Sequence, residues 1–322
     1  MNSIYKAAVL RAPRHFDIVE MMLDDPGPGE VMLRLSGCGV CASNIPPWEG
    51  REWFQYPLAP GNPGHEAWGV VEKVGSGVRP SMVGERVSAL GENAYATHLV
   101  TRADHTVTLP SALADASFPG EPLACAFNVF RRCQIESGQR VAIIGVGFMG
   151  AVVTRLAREA GAEVIAISRR DSSLETAERM GATSLVRMDD HQRIIDEVQR
   201  LTSDELCDCV VECVGSQWPL DLGTALTRVR GRLVIAGYHQ DGARQVDMQL
   251  WNWRGLDVIN AHERAPEAYL QGMRDAIEAV VSGRLDPRPL LTHTFPLERI
   301  AEALELTRTR PEGFVKAVLR YD

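Results

Sequence analysis

The sequence has no surplus of positive charge: 34 lysines and arginines stand against 42 aspartates and glutamates, a formal net charge of −8. With no basic stripe, it argues against nucleic acid and anionic membrane as partners. Long apolar runs are missing as well; the longest, residues 141–153, is broken by glycines and falls short of a bilayer span. The opening MNSIYKAAVLRAP holds no extended apolar stretch of the signal-peptide kind, so a cytoplasmic location is expected. The seven cysteines are an odd count, and their placement points to reduced thiols or metal ligands rather than a disulfide framework. No repeat and no low-complexity segment is present.

What is there reads as an ordinary globular chain, 45% hydrophobic and 24% charged. Its 322 residues exceed one comfortable core, so two domains are expected. Residues 1–110 are β-rich, with apolar runs at 6–10, 31–35, 69–74 and 96–100 punctuated by PGPGE, GSG and Pro110. Helical spacing over 117–133 leads into a second region. From 140 onward strands at 141–144, 164–167, 184–186, 209–212, 233–236 and 258–261 alternate with helices such as 192–201. That alternation predicts a parallel sheet with helices on both faces and right-handed crossovers. The tail adds helices at 268–281 and 297–308 and a last strand at 314–319.

The most informative stretch is RVAIIGVGFMG, residues 140–150. A short β-branched run is followed by Gly145, Gly147 and Gly150, and then by a helix whose apolar face is Val152, Val153, Leu156, Ala157 and Ala160. The first glycine makes the tight turn, the second admits a pyrophosphate to the backbone, and the third lets helix and strand pack closely. This is a dinucleotide-binding turn. NAD-specific sites usually carry Asp or Glu at the end of the next strand to hold the ribose hydroxyls. Here VIAISRR places Ser168, Arg169 and Arg170 there: no carboxylate repels a 2′-phosphate and two guanidiniums can pair with it. NADP is therefore favoured slightly over NAD.

A second set of residues has metal-ligand character. Cys41 sits in GCGVCASN, His65 and Glu66 in PGHE, and Glu121 and Cys125 in GEPLACAFNVFRR. One thiolate, one imidazole and one or two carboxylates from separated loops suit a catalytic zinc with a position open to substrate. Cys38 reads as a small buried residue. Glu121 and Cys125 lie four residues apart, one helical turn, so either can reach the same cavity.

In order along the chain, GCGVCASN, PGHEAWGVVEKVGSGV, GERV, AYATHLV and GVGFMG resemble the zinc-dependent medium-chain dehydrogenase/reductase superfamily over nearly the whole length. The resemblance implies an α/β protein with a GroES-like β-rich catalytic domain (1–125 and 265–322) and a Rossmann doubly wound parallel-sheet domain (126–264). The active site is then expected in the cleft between them. By the same resemblance Cys41, His65 and Glu66 match zinc positions; Glu121, before Pro-Leu as in the polyol branch, is preferred as the remaining ligand, directly or through water, and Cys125, at the position resembling the simple alcohol branch, is assigned to packing. Ser43 matches the hydroxyl that relays the substrate proton, Lys316 matches a basic residue near the pyrophosphate, and Trp48 falls where the family lines its substrate pocket.

The departures from the family are informative too. No cysteine lies between Cys41 and Cys125, so the four-cysteine structural-zinc lobe of many relatives is missing and one catalytic zinc is expected. Pro46 replaces a proton-carrying histidine, and Asn44 replaces an aspartate that supports the zinc histidine. EPLACA resembles the polyol and sugar dehydrogenase branch. The expected activity is oxidation of a secondary alcohol (a polyol, cyclitol or sugar-derived hydroxyl) to a ketone, or the reverse, with the small-molecule alcohol or ketone as partner. The competing readings are a zinc-free quinone or enoyl reductase of the same superfamily and a non-catalytic NAD(P)H-binding sensor. Arg51, Glu49, Asn93 and Tyr95 are candidates for reading extra hydroxyls. A homo-oligomer, dimer or tetramer, is expected, with 256–261 as a candidate pairing segment.

Overall fold

The structure, a computed structural model, describes residues 3–321. It forms two compact units, one made of the chain up to Ala124 and again from Ala265 onward, the other of Cys125–Arg264. The first unit begins with an antiparallel hairpin of β1 (Ser3–Ala12) and β2 (His15–Leu23). Strands β3 (Glu30–Gly39), β4 (Glu66–Val74), β5 (Arg86–Ala89), β6 (His98–Arg102) and β7 (Thr106–Thr108) follow. A short helix, α1 (Ile45–Glu49), lies between β3 and β4, and α2 (Gly120–Cys133) comes after β7.

The second unit alternates β8 (Arg140–Ile144), α3 (Phe148–Glu159), β9 (Glu163–Ser168), α4 (Asp171–Arg179) and β10 (Ser184–Arg187). It continues with α5 (His191–Leu201), β11 (Cys207–Glu212), α6 (Gln217–Leu226), β12 (Thr227–Ile235), α7 (Met248–Arg254) and β13 (Asp257–Asn260). The chain then re-enters the first unit with α8 (Pro266–Val281), β14 (Leu291–Phe295), α9 (Ile300–Thr309) and β15 (Lys316–Arg320).

In the second unit all strand pairs are parallel and the order is β10-β9-β8-β11-β12-β13. Counted from β8, that is 3-2-1-4-5-6, in which the order of strand addition reverses between β8 and β11. Val141, Ala142, Ile143 and Ile144 are 0% exposed, the burial expected of a central parallel strand covered on both faces. In the first unit the order is β14-β15-β3-β4-β5-β7, with β6 also paired to β3. Its core gathers Leu33, Leu35, Val87, Tyr95, Leu304 and Leu319.

Some elements differ from the sequence reading. The arm 15–23 and the short strands β5 and β7 were not anticipated, because Ile4 and Met22 of the hairpin are exposed and leave no clean apolar alternation. The strand expected at 69–74 begins at Glu66, whose carboxylate is buried. The helix expected at 297–308 starts at Ile300, after a 3₁₀ turn over Leu297–Arg299. Among the described residues no helix is long and apolar enough to cross a membrane.

The glycine turn yields a stability test. A Cβ on Gly150 would lie 2.1 Å from the Gly145 carbonyl oxygen, whereas one on Gly147 would meet nothing within 4 Å. Gly150→Ala should therefore lower the unfolding free energy by about 1–3 kcal/mol, and Gly147→Ala should change it by no more than about 0.5 kcal/mol. Urea denaturation of the two variants compares them; equal losses would contradict this account of the turn.

Candidate metal centre and dinucleotide turn

Strand register brings the candidate ligands together. β3 and β4 pair antiparallel with Cys38 opposite Ala67 and Gly39 opposite Glu66. Cys41 follows the end of β3 and His65 precedes the start of β4, so the two leave the same edge of the sheet. The ligand atoms of Cys41, His65 and Glu66 all lie within 4.8 Å of one another, and among the described residues they form the one such group of three. Glu66 is fully buried, and its carboxylate lies over β3 because Gly39 has no side chain. A Cβ there would stand 1.8 Å from Glu66 Oε2.

The imidazole is oriented from behind. His65 Nδ1 donates to the Pro63 carbonyl at 2.9 Å, which leaves Nε2 with the free lone pair a metal needs. Asn44 Nδ2 donates to the same carbonyl at 2.9 Å, and Asn44 Oδ1 accepts from the Tyr95 hydroxyl at 2.5 Å. Asn44 therefore does not serve as the neutral acceptor for His65 expected from the sequence, because its oxygen is taken by Tyr95. Tyr95 is 0% exposed, which corrects its assignment as a reader of substrate hydroxyls. Arg51 and Glu49 are paired with each other at 3.8 Å, and Asn93 is exposed in a left-handed backbone conformation. Trp48 belongs to the apolar core, with Arg14 over its ring at 5.0 Å.

Lys316 is the main surprise. β15 pairs antiparallel with β3, Val318 opposite Gly39, which carries Lys316 to the metal-ligand end of the sheet. Its ammonium donates to Glu66 Oε1 at 2.8 Å and to the Val40 carbonyl at 3.4 Å, and stands 2.7 Å from Glu66 Oε2. Only the contact to Oε1 is aligned as a hydrogen bond; Oε2 is buried without one. Expected beside a pyrophosphate, Lys316 is instead 5% exposed and committed to Glu66 within the first unit. Burial opposes its charge, but Glu66, Cys41 and Glu121 outweigh burial and raise its pKa.

The same charges act on His65. Burial alone would lower its pKa, yet the hydrogen bond and charge of Cys41, then Glu121 and Glu66, push it up to about 10. Without an ion the cluster draws a proton onto its histidine, which marks a site built for a cation. One sulfur, one nitrogen and carboxylate oxygen suit zinc, and the orphaned Glu66 Oε2 fits that reading. Glu121, in the first turn of α2, lies outside the 4.8 Å group, although its charge is felt at both His65 and Lys316. Cys125, one turn later, is half-buried. Ser43 sits in the 3₁₀ turn directly after Cys41, and Pro46 is buried in α1.

In the second unit Gly145 takes φ +90° at the end of β8 and its N–H donates to the Ile167 carbonyl at 2.8 Å. Gly147 is the N-cap of α3 and Gly150 lies in its first turn. Ser168 ends β9, Arg169 is exposed, and Arg170 caps α4. Sequence reasoning missed Arg187, which sits opposite Ser168 on β10 and pairs with Asp171. It also missed Glu212, fully buried at the end of β11, whose Oε1 accepts from the N–H groups of Val214 and Gly215 at 2.7 Å. A Cβ on Gly145 would lie 2.5 Å from Val214, so Glu212 shapes the loop that closes on the turn. The signal for Arg187 is a strand register, which no local motif encodes.

Comparison with known proteins agrees with this geometry. Residues 27–111 match the family model of the alcohol dehydrogenase GroES-like domain, and residues 146–279 that of zinc-binding dehydrogenases. Sorbitol dehydrogenase of Gallus gallus is 29% identical, over 93% of this chain and 92% of its own. The 2-dehydro-3-deoxy-L-galactonate 5-dehydrogenase of Pseudoalteromonas atlantica is 28% identical, over 93% and 94%. The solved 2R,3R-butanediol dehydrogenase of Bacillus subtilis superposes with a TM-score of 0.85 at 21% identity, covering 99% of this chain and 100% of that one.

The support behind His65 is open to measurement. Tyr95→Phe removes the hydrogen bond that holds Asn44, and Asn44→Ala removes the donor to Pro63. Outer partners of a metal histidine are typically worth about 10–100-fold in affinity, so each variant should weaken zinc binding within that range. Competition against a chromophoric chelator reads this directly, and parental affinity in both variants would count against the network.

Proposed function

The chain belongs to the zinc-dependent medium-chain dehydrogenase/reductase superfamily, and from that premise we propose that it oxidises a secondary hydroxyl of a polyol, cyclitol or sugar-derived alcohol to a ketone, or runs the reverse. The observation that carries the reading is the Cys41, His65 and Glu66 group within 4.8 Å, in a chain that also holds a dinucleotide turn. A zinc-free reductase has no use for such a group. The similarity to a sorbitol dehydrogenase and a sugar-acid dehydrogenase supports the polyol lean.

When bound, zinc would polarise the alcohol oxygen and the nicotinamide would accept hydride. Cys41, His65 and Glu66 would hold the single metal, with Glu121 the preferred further ligand, directly or through water. Lys316 offsets the charge of Glu66 where no water can. Ser43, in the turn after Cys41, takes the alcohol proton; Pro46 has none to pass on, so the proton leaves by another route. Gly145, Gly147 and Gly150 with the α3 N-terminus receive the pyrophosphate. Ser168, Arg169 and Arg170 receive a 2′-phosphate, and Arg187 adds a third guanidinium on the neighbouring strand, so NADP is favoured over NAD. β13 is an edge strand of its sheet and offers unpaired backbone groups for assembly into a homo-oligomer.

A panel of polyols assayed with both cofactors tests the whole reading. One tightly held zinc per chain, turnover of at least one polyol, and a kcat/KM about tenfold higher with NADP are the expected results. Arg187→Ala should narrow that ratio, and a preference for NAD would overturn the cofactor assignment while leaving the reaction intact. A protein free of zinc, or inert to every secondary alcohol, would end the proposal.

Ser43→Ala isolates the proton step. Positioned proton transfer is typically worth ~10²–10⁴ in rate, so kcat should fall by about that much with zinc retained. Full kcat in a folded, zinc-loaded variant would remove Ser43 from the mechanism.

A further inference from the structure

The first unit holds a cavity of about 480 Å³ lined by residues that take no part in the metal centre, among them Lys6, Glu20, Arg34, Thr97, Glu298 and Arg320. It lies at the other end of the strands that carry that centre. On β3 the cavity has Arg34, while Gly39 and then Cys41 mark the metal end; on β15 it has Arg320, while Lys316 marks the metal end. Four residues of strand separate Arg320 from Lys316, roughly 13 Å.

Lys6, Glu20, Arg34, Glu298 and Arg320 bring exposed charges of both signs to this one cavity. The guanidiniums of Arg34 and Arg320 hold no hydrogen bond or ion pair with any described residue, although Glu20 and Glu298 line the same cavity. Elsewhere the guanidiniums of Arg11, Arg102, Arg288, Arg299 and Arg308 each hold a neighbouring carboxylate. Lys6 reaches Glu298 only at 3.6 Å and faces Glu20 across the β1–β2 pair. Two unpaired forks from adjacent strands of one sheet, with an ammonium beside them, are a receptor for an oxyanion, and guanidinium geometry matches phosphate. The volume exceeds what a bare phosphate fills and lies in the range of small-metabolite sites. Carboxylates in the same wall repel a second anionic group but accept hydrogen bonds from hydroxyls.

We propose that this cavity binds a phosphorylated polyhydroxy compound of hexose-phosphate size, phosphate on Arg34 and Arg320 and hydroxyls on Glu20 and Glu298, at a site separate from the metal centre. A ligand so held ties β3 to β15 at the end opposite Cys41 and Lys316. The inference does not depend on the reaction assigned above.

Isothermal titration of the zinc-loaded full chain with glucose 6-phosphate, glucose and inorganic phosphate tests it. Saturable binding of glucose 6-phosphate, at least about tenfold tighter than glucose, is expected. The double variant Arg34→Gln/Arg320→Gln should lose at least about tenfold in that affinity, with the melting temperature and polyol turnover of the parent. Arg170→Gln should leave the affinity unchanged. Absence of saturable binding overturns the proposal. So does equal binding by the Arg34→Gln/Arg320→Gln protein, which would assign the phosphate to the dinucleotide or substrate site instead.

Discussion

The first unit is organised around a carboxylate that has no access to water. Glu66 is fully buried, and a buried anion is tolerated only when a cation and hydrogen bonds replace its hydration. Lys316 supplies the cation from β15, Gly39 supplies the space on β3, and His65 lies on the other side of the same charge. Removing one partner of such a pair is typically worth about 3–5 kcal/mol, so three strands are bound to one electrostatic requirement. The requirement is still not fully met by protein alone. Glu66 Oε2 lacks an aligned donor and neighbouring negative charge raises the His65 pKa, two conditions that a divalent ion would relieve.

The second unit solves a different problem by a purely backbone route. A helix N-terminus suits phosphate through its free N–H groups, so side chains matter at such a turn mainly by being absent or by shaping loops. Gly145 and Gly150 permit the close approach of turn and helix, and Glu212 fixes the facing loop through two backbone N–H groups. Beyond the turn, Ser168 ends β9 with Arg169 and Arg170 directly after it and Arg187 opposite it on β10. Metal chemistry and cofactor binding thus rest on separate physical devices in separate stretches of chain.

How far these devices are legible in the sequence depends on whether they are local. The glycine turn, the β8 apolar run and the alternation behind them are contiguous, and the strands and helices lie within a few residues of where periodicity puts them. Cys41, His65 and Glu66 were legible through motif resemblance, since GCGVC and PGHE fix ligand types and the sheet register does the rest. The pairing of Lys316 with Glu66 spans 250 residues and leaves no local trace. A lysine in a terminal apolar strand reads equally well as a phosphate ligand, and only the β15–β3 register decides between the two. Tyr95 and Asn44 were misread for a related reason: Tyr95 looks like a substrate contact, and Asn44 like an acceptor for the histidine, until the hydrogen bond between them and the one from Asn44 to Pro63 are known.

The threading of the chain also sets an order of events during synthesis. The first unit is interrupted by the whole of the second, and β15, which pairs with β3, emerges from the ribosome after all of it. The intervening stretch is continuous and can acquire its parallel sheet while the last strands are still being made. Until β15 arrives, the Gly37–Gly39 end of β3 has an open edge and Glu66 lacks the Lys316 counter-charge. The nascent first unit therefore waits, incomplete, for a strand that long-range pairing makes slow to find.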